Sequence, residues 1–374
     1  MSFLEEEFFT GKRTWSLIKD EVLSSYLPAY IAKVAHLGKP ILLIDGYAGP
    51  GAFADDENSL GSPSIICNAA ESYAKGQYAA VFVNHNEEHH NQLSELIEQN
   101  GWSQNAIPLL GDSSTLISQV SHLLNDYTVF LYLDPFGLKG CEFSGLLPFL
   151  ERPNKYSTEI VFNISMPITH RLAAANSVNE GSLDQRIISY HARMTEVFGG
   201  DYWKDIYFSN RSAEEKEYTL VQKYLELISN YLPITGACPV REKPGARVKY
   251  YIVFASRHID SMLLMNDIMC KAYFGAMHKA IFQDTLFANT DWKEQREQKE
   301  LEKIIVSTVT QFPGLPRARI WEIIVKGHFM RFTSSEFKKV ANELRKSGII
   351  YTTTETRSSR MNDRCLLYIS DSIE

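Results

Sequence analysis

The chain has 374 residues, 44% hydrophobic and 22% charged, which excludes disorder, collagen and coiled coil as the main architecture. No run approaches the roughly 20 apolar residues of a membrane helix, and the acidic start (Met1-Ser-Phe-Leu-Glu-Glu-Glu7) does not read as a secretory signal. Formal net charge is −7, but Ile304–Glu374 holds 11 Lys+Arg against 7 Asp+Glu, so a small basic tail follows an acidic body and suggests an anionic partner for that tail. The five cysteines are scattered, and none forms a C-x-x-C pair. That pattern predicts buried thiols in a reducing cytoplasm and no metal site built on cysteine.

In chain order, Trp15 to about Leu37 has apolar residues at helical spacing, with Pro28 expected to bend or split the helix. Ile41-Leu-Leu-Ile44 is a fully apolar run, as a central parallel strand requires. Ser62-Pro63 predicts an N-cap followed by Pro at the first helical position, opening a helix to about Lys75. Strands are then predicted at 80–83, 107–110, 129–133 and 160–164, with helices at 87–99 and 114–125 between them. Single helices between strands make βαβ units, hence an α/β fold with a parallel sheet covered on both faces. The stretch from about 166 to 246 reads as a helical insertion, with Gly236 to Arg247 as a loop. Lys249 to Ser256 reads as a further strand, and Ile259 to Phe274 as a helix whose Met262, Met265 and Met269 suit core packing. The expected domains are 1–290 and 291–374.

The most informative stretch is Asp45-Gly46-Tyr47-Ala48-Gly49-Pro50-Gly51, after the first strand. Its D-x-x-x-G-x-G order is not the dinucleotide fingerprint, because the third glycine spacing fails. It resembles the first motif of class I S-adenosylmethionine-dependent methyltransferases, in a Rossmann-type sheet that binds its ligand at the carboxyl ends of the strands. That resemblance implies that Asp45 meets the methionine amino group while the glycines let backbone approach the cofactor. It implies further that Asn84, ending the second strand, takes the ribose hydroxyls where the family has an acid. Asp112, ending the third, would take the adenine amino group; it also reads as a simple helix cap. The fourth strand ends Leu133-Asp134-Pro135-Phe136-Gly137, a partial match to the D/N-P-P-Y/F element of amino-directed methyltransferases. There Asp134 and the Pro135 carbonyl would accept hydrogen bonds from the target amino group, with Phe136 beside a flipped base.

Over most of its length the sequence resembles the three-Cys-motif partner protein (TcmP) family. The likeness rests on Lys12-Arg-Thr-Trp15 with Lys19, Tyr26-Leu27, Tyr30, Asp45 through Gly51, Gly61-Ser-Pro63, Leu133 through Gly137 and Tyr250-Tyr251. It implies a methyltransferase-like fold and, as a partner, a radical-S-adenosylmethionine-like protein carrying a three-cysteine motif.

In the tail, helices are predicted at 301–312, 317–326 and 334–346, then two β runs, which is the winged-helix order. Lys338, Lys339 and Lys346 would lie on the third helix, with Arg357 and Arg360 on the wing, where basic residues meet phosphate. A winged helix serves equally as a protein-docking module. The sequence therefore carries two expectations: methyl transfer from S-adenosylmethionine to an amino nitrogen of DNA or RNA, or a catalytically silent adaptor. His85 and His89, four apart, read as polar helix-start residues.

Overall fold

The computed structural model describes residues 14–53, 56–120, 125–155, 157–174, 185–282, 294–353 and 361–370. The chain divides into two compact units, Met1–His258 and Ile259–Glu374.

The first unit opens with α1 (Thr14–Ala35) and β1 (Ile41–Asp45), every residue of which is buried. There follow α2 (Ser62–Ala74), β2 (Tyr78–Asn84), α3 (Glu87–Gln99), β3 (Ala106–Leu110), α4 (Ser113–Val120) and β4 (Thr128–Leu133). After α5 (Phe143–Leu150) and β5 (Thr158–Ser165) come four helices: α6 (Met166–Ala173), α7 (Gln185–Phe198), α8 (Tyr202–Tyr207) and α9 (Ala213–Ser229). The antiparallel pair β6 (Ile234–Arg241) and β7 (Val248–Ser256) closes the unit. The seven strands lie in the order β3-β2-β1-β4-β5-β7-β6. All neighbours from β3 to β5 are parallel, and β7 runs antiparallel to both strands that flank it. This is the class I methyltransferase-like sheet, and its order reverses between β1 and β4, where open α/β sheets bind their ligands.

The apolar run of β1 follows from its central place. Ile41, Leu43 and Ile44 are wholly buried, with helices covering the sheet. Ionisable residues are buried in this unit too, among them Asp45, Arg152, Glu159 and Glu217. Glu159 of β5 is 1% exposed, and its carboxylate accepts from the Tyr26 hydroxyl and, at 3.3 Å, from Ser256. Three expectations are corrected. Helix α1 is not split at Pro28, because Tyr26, Leu27, Tyr30 and Ile31 pack it on both sides of the proline and offset the missing hydrogen bond. The cap of α2 is Gly61 and not Ser62, since the Gly61 backbone is pressed onto Gly51. The first half of the predicted loop 236–247 belongs to strand β6, an alternating edge strand that accepts Pro239 because edge positions do not all need an N–H, while 242–247 is the connection to β7. The helical insertion therefore ends at Ser229.

The second unit holds α10 (Ile259–Phe282), α11 (Glu294–Gln311), α12 (Arg317–Gly327), α13 (Ser334–Lys346) and the antiparallel pair β8 (Ile350–Thr353) and β9 (Leu366–Ile369). Met262, Met265 and Met269 are buried in it. Helix α13 begins with a capping box between Thr333 and Glu336 and buries Phe337, Val340, Ala341 and Leu344. The Phe337 ring stacks on Trp321 at 4.9 Å.

Candidate functional site

The glycine loop leaves β1 and is pinned to the strands on either side. The Gly46 N–H donates to the Tyr132 carbonyl at 3.0 Å, and the Ala48 N–H to Val83 at 3.0 Å. Its far end is held by the next helix. Gly61 N–H and the Ser64 hydroxyl both donate to the Gly51 carbonyl, at 3.0 and 2.7 Å. Gly51 has φ +85°, a conformation that disfavours any residue with a Cβ. The loop is thereby a rigid strap laid across the strand ends.

Around it the ends of β1, β2 and β4 and the turn after β3 surround one cleft of about 960 Å³. Gly46, Tyr47, Gly49, Gly51, Asn84, Asp112, Asp134, Pro135 and Phe136 all line it, so the tertiary fold brings together nearly every residue singled out for cofactor and catalysis. Asp45 is the exception. It is fully buried beneath the loop and does not line the cleft. One carboxylate oxygen accepts from the Tyr47 N–H at 3.0 Å, and the other has no hydrogen-bond partner. Burial raises its pKa to about 7, against the lowering effect of the hydrogen bonds from Ser62 and Tyr47.

Asn84 ends β2 with its amide nitrogen 3.4 Å from the Gly49 carbonyl. Asp112 is held differently. Lys139 donates to one oxygen at 2.6 Å and Ser114 to the other, and together they hold its carboxyl down to about 2. It is thus an ionised acceptor at neutral pH, and it also braces the start of α4. Tyr47 crosses the cleft wall and donates its hydroxyl to the Lys139 carbonyl at 2.8 Å.

Asp134 sits at the centre of a network that the motif alone does not reveal. Its Oδ1 accepts from the Asn163 amide at 2.7 Å. Its Oδ2 accepts from the Lys19 ammonium, with the Tyr132 hydroxyl at 3.5 Å. The Lys19 ammonium also lies over the Tyr250 ring, 5.1 Å from its centroid. Lys19, Asn163, Tyr132 and Tyr250 all line the cleft. Burial and the Asp134 charge keep the phenols of Tyr132 and Tyr250 well above the usual tyrosine range, so both stay protonated. Phe136 stands at the rim, 61% exposed. Asn163 was missed in the sequence, although a lone amide inside Ile-Val-Phe-Asn-Ile is a signal that a polar partner waits in the fold.

Asn86 caps α3 and accepts from the His89 N–H at 3.1 Å, so the His85–His89 stretch is a helix start. On the second unit, Lys338, Lys339 and Lys346 are exposed along α13, opposite its apolar face. Arg357 and Arg360 lie outside the described residues. Among the described residues no helix is long and apolar enough to cross a membrane.

No family model matches the sequence, and no curated protein matches it. The structure is similar to solved structures. One is an O-methyltransferase from Bacillus cereus in complex with SAH, at 13% identity and TM-score 0.32, covering 62% of this chain and 80% of that one. Another is a methyltransferase from Geobacter sulfurreducens, at 10% identity and TM-score 0.27, covering 62% and 77%. A third is the fibrillarin pre-rRNA processing protein of Methanococcus jannaschii, at 10% identity and TM-score 0.30, covering 58% of this chain and 66% of that one, just under two thirds of its length. At such identities and scores these likenesses carry no argument, and the fold rests on the strand order itself.

Proposed function

We propose that the first unit is an S-adenosylmethionine-dependent methyltransferase that acts on an amino nitrogen, and that its target is a nucleic acid. The observation that carries this reading is the convergence of the glycine loop, Asn84, Asp112 and Asp134-Pro135-Phe136 on one cleft at the switch point of the sheet. The residues present suit the cofactor. Asp112 is an ionised acceptor for an adenine-type N–H, the Asn84 amide offers hydrogen bonds to a diol, and the strap of Gly46 to Gly51 presents backbone without bulk. The bound cofactor would supply a methyl group on a sulfonium leaving group. The chain's own task is then mainly positioning, which supplies most of the acceleration when the leaving group is good.

Asp134 and the Pro135 carbonyl are the acceptors that orient the target N–H groups, and Asn163 fixes the carboxylate so that it faces the cleft. Lys19 occupies the Asp134 Oδ2 position, so an incoming amino group must displace or share that bond. Phe136, exposed at the rim, offers a flat apolar surface on which a base can stack. The second unit, with the element order of a winged helix and its exposed lysines on α13, would capture the phosphate backbone. The likeness of the sequence to the three-Cys-motif partner proteins fits this reading and adds a radical-S-adenosylmethionine-like protein as a partner.

A second reading, a catalytically silent adaptor, is favoured by the amide at Asn84 and by Gly137 where an aromatic is expected. Isothermal titration with S-adenosylmethionine and with S-adenosylhomocysteine separates the two. Heat is expected with both ligands, and its absence at millimolar ligand overturns the enzyme. By the same titration Asp134→Ala should keep cofactor affinity within a few-fold, while transfer of labelled methyl to nucleic acid, measured separately, falls roughly 100-fold or more.

A further inference from the structure

We propose that Lys19 is itself a methyl acceptor, so that this protein methylates its own first helix. The inference rests on the methyltransferase reading and adds to it a modification site with an alkyl amine as substrate. Three observations meet at one atom. The Lys19 Nζ donates to Asp134 Oδ2, the hydrogen bond that the proposed reaction assigns to the target amino nitrogen. The side chain is only 11% exposed and lines the same cleft as the glycine loop. The Tyr250 ring lies under the ammonium, 5.1 Å from it at the centroid, and holds it by a cation–π contact.

A half-buried lysine held this way is presented as a substrate rather than merely paired. Surface lysines pair with carboxylates in solvent and gain little. Lys19 instead spends its rotamer freedom to place a primary amine beside the residue that would orient the acceptor. The step balances simply. The Lys19 ammonium gives one proton to Asp134 Oδ2, from which it passes to solvent. The freed nitrogen lone pair attacks the sulfonium methyl carbon, an N–C bond forms and the C–S bond breaks. The bonding pair stays on sulfur, leaving the thioether and a methyl-lysine. A second methyl follows by the same route, because a secondary amine still carries a proton to donate to Asp134. No metal, oxidant or second protein is needed.

The test uses the full chain and S-adenosylmethionine alone. The purified protein is incubated with methyl-labelled S-adenosylmethionine in mildly alkaline buffer, without nucleic acid. Intact mass and peptide mapping are followed over hours, with calorimetry of cofactor binding alongside. The expected result is a gain of one or two methyl groups, confined to the peptide that holds Lys19, with the label absent in Lys19→Arg. Binding heat without label on Lys19 overturns self-methylation and leaves the enzyme reading standing. Label spread over surface lysines, or label kept in Lys19→Arg, overturns it as well, because the cleft geometry would then not select the acceptor. Absence of binding heat removes both readings together.

Discussion

At the scale of single residues, Asp45 and Asp134 show how one residue type is set to different tasks by its surroundings. Asp45 has lost its water and has one bare oxygen, so burial raises its pKa to about 7. Asp134 has donors on both oxygens. The consequence for Asp45 has a definite sign. Its folded pKa exceeds the unfolded value near 4, so the folded chain holds a proton that the unfolded chain has released. Stability is therefore highest below about pH 4 for this group and declines as pH rises toward 7, by a few kcal/mol at most. Asp45→Asn removes the buried charge and keeps the shape. It should melt higher than the wild type above pH 7, and the difference should vanish near pH 4. Thermal melts at the two pH values check this, and an equal difference at both would place the effect elsewhere.

At the scale of elements, the site depends on two backbones touching. A Cβ on Gly61 would lie 2.9 Å from the Gly51 carbonyl carbon and oxygen, closer than any Cβ sits to backbone. Gly61→Ala must push α2 off the strap and weaken the Gly61 N–H bond to Gly51. We expect a loss of about 1–3 kcal/mol of stability and weaker cofactor binding, because the strap moves. Gly145 of α5 is the control. Nothing lies within 4 Å of its missing Cβ, and it sits inside a helix. Gly145→Ala should stabilise by roughly 0.5–1 kcal/mol. Melting curves of the two variants should move in opposite directions, and a fall in both would show that the Gly51–Gly61 contact is nothing special.

At the scale of the whole molecule, charge is spread unevenly along the chain. The chain as a whole is acidic at −7, whereas Ile304–Glu374 is basic by four charges. An acidic body repels phosphate, so nucleic acid would be captured through α13 and its neighbours. Lys338→Glu, Lys339→Glu and Lys346→Glu together should weaken binding sharply and flatten its dependence on salt, by about 0.7–0.9 in log–log slope for each phosphate no longer neutralised. These residues are exposed and lie off the apolar face, so the melting temperature should hold. Unchanged nucleic-acid affinity in the triple variant would make the second unit a protein-docking module and move the adaptor reading ahead.

The sequence by itself determined what depends on near neighbours. The apolar runs of β1 and β4, the helix over 87–99 and the helix over 334–346 follow from local periodicity and short-range hydrogen bonding. The glycine loop and the Asp-Pro-Phe element were legible because their spacing along the chain is itself the signal. Tertiary structure alone decided what depends on distant partners. Lys19 meets Asp134 across 115 residues, and Asn163 reaches it across 29. A lysine on a helix looks the same whether or not a partner waits, and the lone amide in the β5 run signals a polar partner without saying which residue it is. The same holds for β6. Gly236 and Pro239 read as part of a loop, and only β7 beside them, supplying hydrogen bonds along one edge, makes that stretch a strand. The resemblance to the methyltransferase motif implies that Asp45 meets the methionine amino group. Burial of a strand-end carboxylate is decided by the loop and strands packed around it, and here Asp45 is 0% exposed and lies off the cleft lining.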